Sequence, residues 1–264
     1  MSYSIVLVVL VCASAFAQSN SPQTEQELLR LVNQERGARQ MPPLARNPLL
    51  HGAALAHLRE MIAGRKLEHQ LPGEQPLEQR IATTGLRFQS SAENIASFTD
   101  RGDPALNAEQ ANSLLIHSPP HRENILNPAY NAAGIAVSAD GREVWVVEDF
   151  ARAFPEASTA EAERQAAQAL DGVRRRKGLL SVKITPERKL QQMACRPETT
   201  PATVAREVSG QRSIDVFTTW DPQELPAATV NAMQRPELEA VSMGVCLLPG
   251  PDAHGKIRAV VVAY

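Results

Sequence analysis

The chain has 264 residues, 43% hydrophobic and 21% charged, which is enough for one large or two modest globular domains. Its formal net charge is −2 and only 4% of its residues are aromatic. The composition therefore gives no overall basic field for nucleic acids or anionic membranes, and it argues against platforms that stack bases or sugars.

The first seventeen residues are typical of a secretory signal peptide. Residues 5–11 form an unbroken apolar run, and Ala15-Phe16-Ala17 before Gln18 fits a cleavage site of small residues. The run is too short to span a bilayer, which takes about 20 apolar residues. The rest of the sequence offers no other candidate span, so we expect a secreted or periplasmic protein.

Four helices are predicted in the first half of the chain. The first opens at Ser21-Pro22 and ends near Gly37. The second begins at Asn47-Pro48, with Asn as the cap and Pro at the first helical position, and it ends at Gly64. Shorter helices are expected over residues 76–84 and 103–116, and Pro119-Pro120 should stop the last one.

Strands are expected in the remainder of this half. Residues 131–138 and 143–150 flank Ala139-Asp140-Gly141-Arg142, whose Asp-Gly pair is a strong hairpin signal. A further strand is expected near Glu93. Helices followed by an antiparallel hairpin favour an α+β layered domain over a doubly wound parallel sheet.

A second unit is predicted after a linker at residues 154–160, which divides the chain into residues 23–153 and 161–264. The second unit repeats the order of the first: a helix from Leu170, Gly178, a short extended piece, and a helix opening at Thr185-Pro186. Both units end in a turn and an apolar strand. This order predicts a diverged internal duplication. The alternative is an unrelated small α+β domain.

Two cysteines, Cys195 and Cys246, remain after removal of the leader. In an oxidising compartment they are compatible with one disulfide. Two buried free thiols are the alternative, because unpaired Cys is a common core residue. The separation along the sequence does not decide between the two.

Candidate chemistry is concentrated in the first unit, which contains five of the six histidines (His51, His57, His69, His117 and His121). Taken singly, Glu93 could be an edge carboxylate, His121 a helix cap and His69 a solvated loop residue, while His57 fits a hydrogen-bonded core position. The prolines before His121 exclude a helical two-histidine zinc motif. Together, His69, Glu93 and His121 could form a Zn-type site or an acid–base pair.

The first unit, over residues 23–151, resembles the bacterial branch of the CAP superfamily (the SCP domain of cysteine-rich secretory proteins, antigen 5 and plant pathogenesis-related proteins). The resemblance implies an α-β-α sandwich with a central antiparallel sheet. The features that carry it are Leu31-Val32-Asn33-Gln34-Glu35-Arg36, Pro42-Pro43-Leu44, Asn47-Pro48-Leu49, Ala56-His57, His69, Ala92-Glu93-Asn94-Ile95-Ala96, residues 118–128 (SPPHRENILNP) and Gly134-Ile135-Ala136-Val137.

The resemblance also implies a cleft lined by His69, Glu93 and His121. Some members of the superfamily bind a divalent metal such as Zn through the two histidines, and some eukaryotic members bind sterols or lipids elsewhere on the domain. A metal site at His69 and His121 is therefore expected, with Glu93 beside it.

The chain departs from the family pattern around this cleft. Leu115 stands where bacterial members often have Trp, Pro120 replaces a frequent Gly, and the second cleft glutamate that eukaryotic members carry near Ser118 is absent. His69 is followed by Gln70-Leu71 instead of a small hydroxyl residue. The polar supports of the cleft are thus fewer than usual, and the second unit has no residues that match the three.

Three functions are consistent with the sequence. The first is an exported binding module whose cleft holds a divalent metal or a small ligand. The second is a metal-assisted hydrolase, a peptidase or esterase, with Glu93 as the catalytic base. The third is a non-catalytic interaction protein that binds a component of the cell envelope.

Overall fold

The computed structural model describes residues 21–264, so the expected signal peptide lies outside the described residues. Two four-stranded sheets, each with its own helices, confirm the α+β class. No helix within residues 21–264 is long and apolar enough to cross a membrane.

The first half comprises α1 (Ser21–Gly37), β1 (Ala45–Arg46), α2 (Pro48–Gly64), α3 (Leu77–Ala82), β2 (Arg87–Thr99), α4 (Pro104–His117), α5 (Pro119–Ile125), β3 (Ala132–Asp140) and β4 (Glu143–Phe154).

The second half follows after a short connection. Its elements are α6 (Thr159–Arg176), β5 (Lys183–Pro186), α7 (Arg188–Ala194), α8 (Pro201–Ala205), β6 (Ser213–Thr219), α9 (Ala227–Met233), β7 (Ala240–Leu247), a 3₁₀ turn (Pro251–Ala253) and β8 (Ile257–Ala263). The connection is shorter than the predicted linker, because β4 continues to Phe154 and α6 already begins at Thr159.

The first sheet lies between two layers of helices. Its strand order is β1-β3-β4-β2, antiparallel except for the short parallel pairing of β1 with β3. On one face α1, α4 and α5 pack against alternate residues such as Ile135 and Val146. On the other face α2 packs against the intervening residues, such as Ala136 and Val147. This alternation is the period-two pattern of a strand buried on both faces.

Local sequence sets the helix starts as predicted at two places. The Asn47 side chain accepts hydrogen bonds from the backbone N–H of Leu49 and Leu50, and the Asp103 side chain does the same for α4. The Pro119-Pro120 pair behaves differently from the prediction. It ends α4 through the extended backbone of Ser118, but it also starts α5, because proline fits the first positions of a helix.

The second sheet has the same topology as the first. Its order is β5-β7-β8-β6, with β5 parallel to β7 and the other pairs antiparallel, so each strand has a counterpart in β1-β3-β4-β2. Two glycines mark the same place in both halves. A Cβ on Gly134 would lie 2.1 Å from the backbone nitrogen of His51, and one on Gly244 would lie 2.0 Å from that of Gln191. Each glycine therefore lets a helix lie directly on its sheet.

A disulfide joins Cys195, at the end of α7, to Cys246 on β7, with the two Cα atoms 5.2 Å apart. It links the short helix α7 to the sheet on which that helix packs. The free-thiol alternative is therefore not the state found in the structure.

The two halves contact each other at the start of β2. The buried Arg87 donates to three backbone carbonyls, those of Gly255 at 2.9 Å, Pro155 at 2.7 Å and Trp220 at 2.5 Å. The ring of Phe88 stacks on His254 with 4.6 Å between centroids. The second half thus contacts β2, the strand that carries Glu93. His254, the sixth histidine, packs against that strand.

Candidate functional site

The Glu93-Asn94 pair on β2 sends two polar side chains to opposite faces of the sheet. Glu93 lies opposite Asp149 of β4 and faces the α2 layer, as does Ile95 two residues later. Asn94 lies opposite Glu148 and faces the layer of α4 and α5. One dipeptide therefore contributes to two polar clusters, one on each side of the sheet.

Glu93 is the centre of the cluster on the α2 face and is only 6% exposed. Its Oε1 lies 2.9 Å from Nδ1 of His69, and its Oε2 accepts from Nη2 of Arg80 at 2.8 Å. A carboxylate can only accept, so Nδ1 of His69 carries the proton and Nε2 holds the free lone pair. The His69 side chain is 57% exposed, so this nitrogen is open to a ligand.

Arg80, from α3, holds both the carboxylate and the histidine loop. The same Nη2 that binds Glu93 also donates to the backbone carbonyl of His69 at 3.1 Å. Its Nη1 lies 3.5 Å from Oε1 of Glu74. A buried guanidinium between two carboxylates compensates charges that would otherwise be expensive to bury.

His57 completes this cluster from α2. It is fully buried, its Nδ1 lies 2.8 Å from Oε1 of Glu74, and its Nε2 lies 3.8 Å from Oε2 of Glu93. The other oxygen of Glu74 accepts from the backbone N–H of Leu71 at 3.0 Å. His57 is thus the hydrogen-bonded core histidine that its position on the helix predicts, and it also flanks Glu93.

Asp149 lies against Glu93 from the neighbouring strand and is fully buried. Burial raises the pKa of Asp149 well above its usual range, and the nearby negative charge of Glu93 raises it further. Both effects favour the protonated, uncharged form of the Asp149 carboxyl.

A separate polar cluster lies on the opposite face of the sheet. Asn94 donates through Nδ2 to Oε2 of Glu148 at 3.0 Å and to the backbone carbonyl of His121 at 3.2 Å. Asn124 of α5 donates to Oδ1 of Asn94 at 2.9 Å. Complete burial raises the pKa of Glu148 to about 7, while the hydrogen bond from Asn94 partly opposes the rise. These contacts fix the first turn of α5, which carries His121.

His121 is half-buried in that first turn. Burial lowers its pKa, and the charge of His69 lowers it further, so the two imidazoles are within electrostatic reach of each other. The structure therefore brings His69 and Glu93 into direct contact, and it holds the His121 backbone against Asn94, the residue that follows Glu93. His51 and His117 have other neighbours, Glu25 and the Ser113 carbonyl.

Four residues of these clusters were missed by the sequence analysis: Glu74, Arg80, Glu148 and Asp149. The last two carried a usable signal, since two consecutive carboxylates interrupt the apolar run of β4 just as Glu93 interrupts β2. Arg80 and Glu74 carried none, because a charged residue in a short helix or a loop is ordinarily solvated.

The second half lacks this chemistry at the equivalent positions. In the first sheet, Gly134 lies opposite Asp149, and Asp149 lies opposite Glu93. In the second sheet, the corresponding glycine, Gly244, lies opposite Val260, and Val260 lies opposite Val216. Two valines thus stand where the first sheet has two carboxylates. For Glu93, this register agrees with the expectation that the second unit has no matching residue.

The residues that could hold a metal are few. Among residues 21–264, no group of three or more His, Cys, Asp and Glu is arranged to hold an ion. A cavity of about 430 Å³ lies on the α2 face and is lined in part by Glu74 and Arg80. A second, of about 420 Å³, lies between the halves beside Arg87. Neither is lined by His69 or His121, whose two imidazoles can supply only two ligands.

The matches in sequence concern about half of the chain. Residues 29–150 match the sequence model of the CAP family, described as the cysteine-rich secretory protein family. The uncharacterized protein YkwD of Bacillus subtilis (strain 168) is 26% identical over 129 residues, which are 49% of this chain and 48% of that protein. The chain therefore spans about half the length of this curated relative.

Solved structures with similarity include two bacterial proteins. One is an extracellular protein containing an SCP domain from Bacillus anthracis str. Ames, with 25% identity, a TM-score of 0.42, and coverage of 50% of this chain and 41% of that one. The other is an outer surface protein from Borrelia burgdorferi, with 19% identity, a TM-score of 0.44, and coverage of 50% of this chain and 94% of that one.

Proposed function

We propose that the first half of the chain, whose residues 29–150 match the CAP family model, is a binding module that takes a divalent metal ion between His69 and His121. The observation that carries the proposal is the 2.9 Å contact of Glu93 with Nδ1 of His69. A carboxylate that holds the far nitrogen of an imidazole fixes its tautomer and orientation and makes the other nitrogen a better ligand.

The donors fit a weak site. Imidazole nitrogen suits Zn and several other divalent transition metals. Two protein ligands leave the remaining coordination positions to water or to an oxygen of a small polar ligand, so the ion would exchange readily. When bound, the metal would supply a positive charge that orients such an oxygen.

Glu93 fits a positioning role better than a catalytic one. One of its oxygens is engaged by His69 and the other by Arg80, and it is buried beneath them. A general base must reach the proton that it removes. The contacts of Glu93 leave no such access, which favours the binding module over the metal-assisted hydrolase.

We place the protein outside the cytoplasm. The support within the described residues is the Cys195–Cys246 disulfide, since such bonds persist in oxidising compartments and are rare in reducing ones. The apolar leader expected at residues 1–17 supports the same location. A secreted or periplasmic binding module is therefore the function that the site and the chain support best.

Thermal unfolding with and without added Zn²⁺ tests the metal site. A ligand at a hundred times its dissociation constant stabilises the folded state by about 2.7 kcal/mol, which raises the melting temperature measurably. We expect the shift in the wild type and its loss in the His69→Ala/His121→Ala double variant. His117→Ala is the matched control, because His117 is an exposed histidine on the neighbouring helix α4. An equal shift in the double variant would contradict the proposal.

A further inference from the structure

The loop between α6 and β5 exposes an apolar side chain among cations. Leu180 is 86% exposed, far more than any other large hydrophobic residue of the described chain. A single exposed leucine is ordinary on a folded surface, so the cations beside it, and not its exposure alone, set this loop apart. The exposed cations on either side of it along the sequence are Arg175, Arg176, Lys177 and Lys183.

Hydrogen bonds from a buried arginine fix the backbone of this loop. Arg174 is only 2% exposed, and its Nε donates to the backbone carbonyl of Leu180 at 2.7 Å. Its Nη1 donates to the carbonyls of Met233 and Arg235 at 3.0 and 2.9 Å. Leu180 therefore projects from a fixed support, and its exposure is a property of the fold.

The first half contains the same loop with a different surface. There Arg36 donates through Nε to the carbonyl of Pro42 at 2.9 Å, six residues ahead, as Arg174 does to Leu180. The turn residue has a positive φ in both loops, 59° at Gln40 and 69° at Gly178. The two backbones therefore correspond, and Pro42 stands in the place of Leu180.

The charges of the two loops differ sharply. The first carries one cation, Arg39, which pairs with Glu35 at 2.9 Å. The second carries four, of which Arg175 pairs with Asp171 at 2.9 Å while the other three form no salt bridge within residues 21–264. Basic residues at the end of α6 are favoured by the helix dipole. That effect does not account for Lys183, which lies on β5.

We propose that this basic loop, residues 175–183, docks on an anionic phospholipid bilayer. Cations close to such a surface are attracted to its headgroups, and an apolar side chain between them can enter the acyl boundary. A soluble polyanion would satisfy the cations but would offer Leu180 no apolar phase, so the exposed leucine favours lipid. The net charge of −2 for the whole chain conceals this local asymmetry.

Vesicle flotation tests the proposal with the exported form that begins at Gln18, which excludes the apolar leader. Vesicles of equal parts phosphatidylglycerol and phosphatidylcholine are compared with pure phosphatidylcholine. We expect binding only to the anionic vesicles. The triple variant Arg176→Ala/Lys177→Ala/Lys183→Ala should bind on the order of a hundredfold more weakly, at roughly fivefold per cation. Leu180→Ser should bind about tenfold more weakly.

The matched control is Arg39→Ala, which removes the cation of the corresponding loop in the first half and should leave binding unchanged. All altered side chains are exposed, so unchanged melting temperatures will show that the variants are folded. Wild-type binding that does not exceed that of pure phosphatidylcholine would overturn the proposal. Binding that is lost in the triple variant but retained in full by Leu180→Ser would also overturn it, in favour of a polyanion.

Discussion

Replacing Glu148 with Gln should change how the stability of the protein depends on pH. Glu148 is fully buried on β4, and burial raises its pKa from an ordinary 4.5 to about 7. Its Oε2 accepts from Asn94, while Oε1 has no hydrogen-bond partner among residues 21–264. Gln has the same shape and can accept the same hydrogen bond, but it does not titrate.

The magnitude follows from linkage between protonation and folding. Between about pH 4.5 and about pH 7 the folded protein keeps the Glu148 proton that the unfolded chain releases, so the free energy of unfolding falls as the pH rises. Each pH unit of that window is worth about 1.4 kcal/mol. Glu148 therefore costs the wild type about 3 kcal/mol above about pH 7, and this cost is absent at about pH 4.

Urea unfolding of the wild type and of Glu148→Gln at about pH 5 and about pH 8 measures this contribution. The difference between the two proteins should shift by about 2–3 kcal/mol in favour of the variant at the higher pH. Comparing differences removes the other titrating groups, Asp149 included. Glu123→Gln, an exposed carboxylate on α5, should show no such shift. A difference between wild type and Glu148→Gln that is the same at both pH values would refute the reasoning.

Two further substitutions probe packing and charge. Arg80→Met should destabilise the protein by about 3–5 kcal/mol in urea unfolding, because Glu93 would remain buried without its cation; the exposed Arg59→Met is the control, and an equally small loss in both would contradict the prediction. Gly244→Ala should cost about 3 kcal/mol or more, because its Cβ would lie 2.0 Å from backbone. Gly52→Ala, with nothing within 4 Å, should instead stabilise by about 0.5–1 kcal/mol.

The sequence predicted the first half of the fold well where local signals are strong. Asn47-Pro48 and Asp103-Pro104 predict where their helices begin, and Asp140-Gly141 predicts the hairpin. These predictions succeed because caps and turns depend on a few neighbouring residues. Strand β1 could not be predicted in this way, and β5 was expected only as a short extended piece after Gly178. They have two and four residues, and they exist because β3 and β7 offer them an edge to pair with.

The site was predictable in part for a related reason. His69, Glu93 and His121 were candidates from their residue types, and the family resemblance then implied that they line one cleft. The contact between His69 and Glu93 joins residues 24 positions apart, and Arg80 enters from a third element. Such convergence depends on tertiary packing, which no local pattern encodes.

The two halves together provide an internal comparison that bears on function. The second sheet shows that this topology stands with Val216 and Val260 where the first has Glu93 and Asp149. Carboxylates are therefore not required by the architecture at these positions, and apolar residues would avoid the cost of burying them. The first sheet nevertheless buries both, with Arg80 as the compensating cation. A cluster that the fold does not need is best explained by the exposed imidazole of His69, which contacts Glu93.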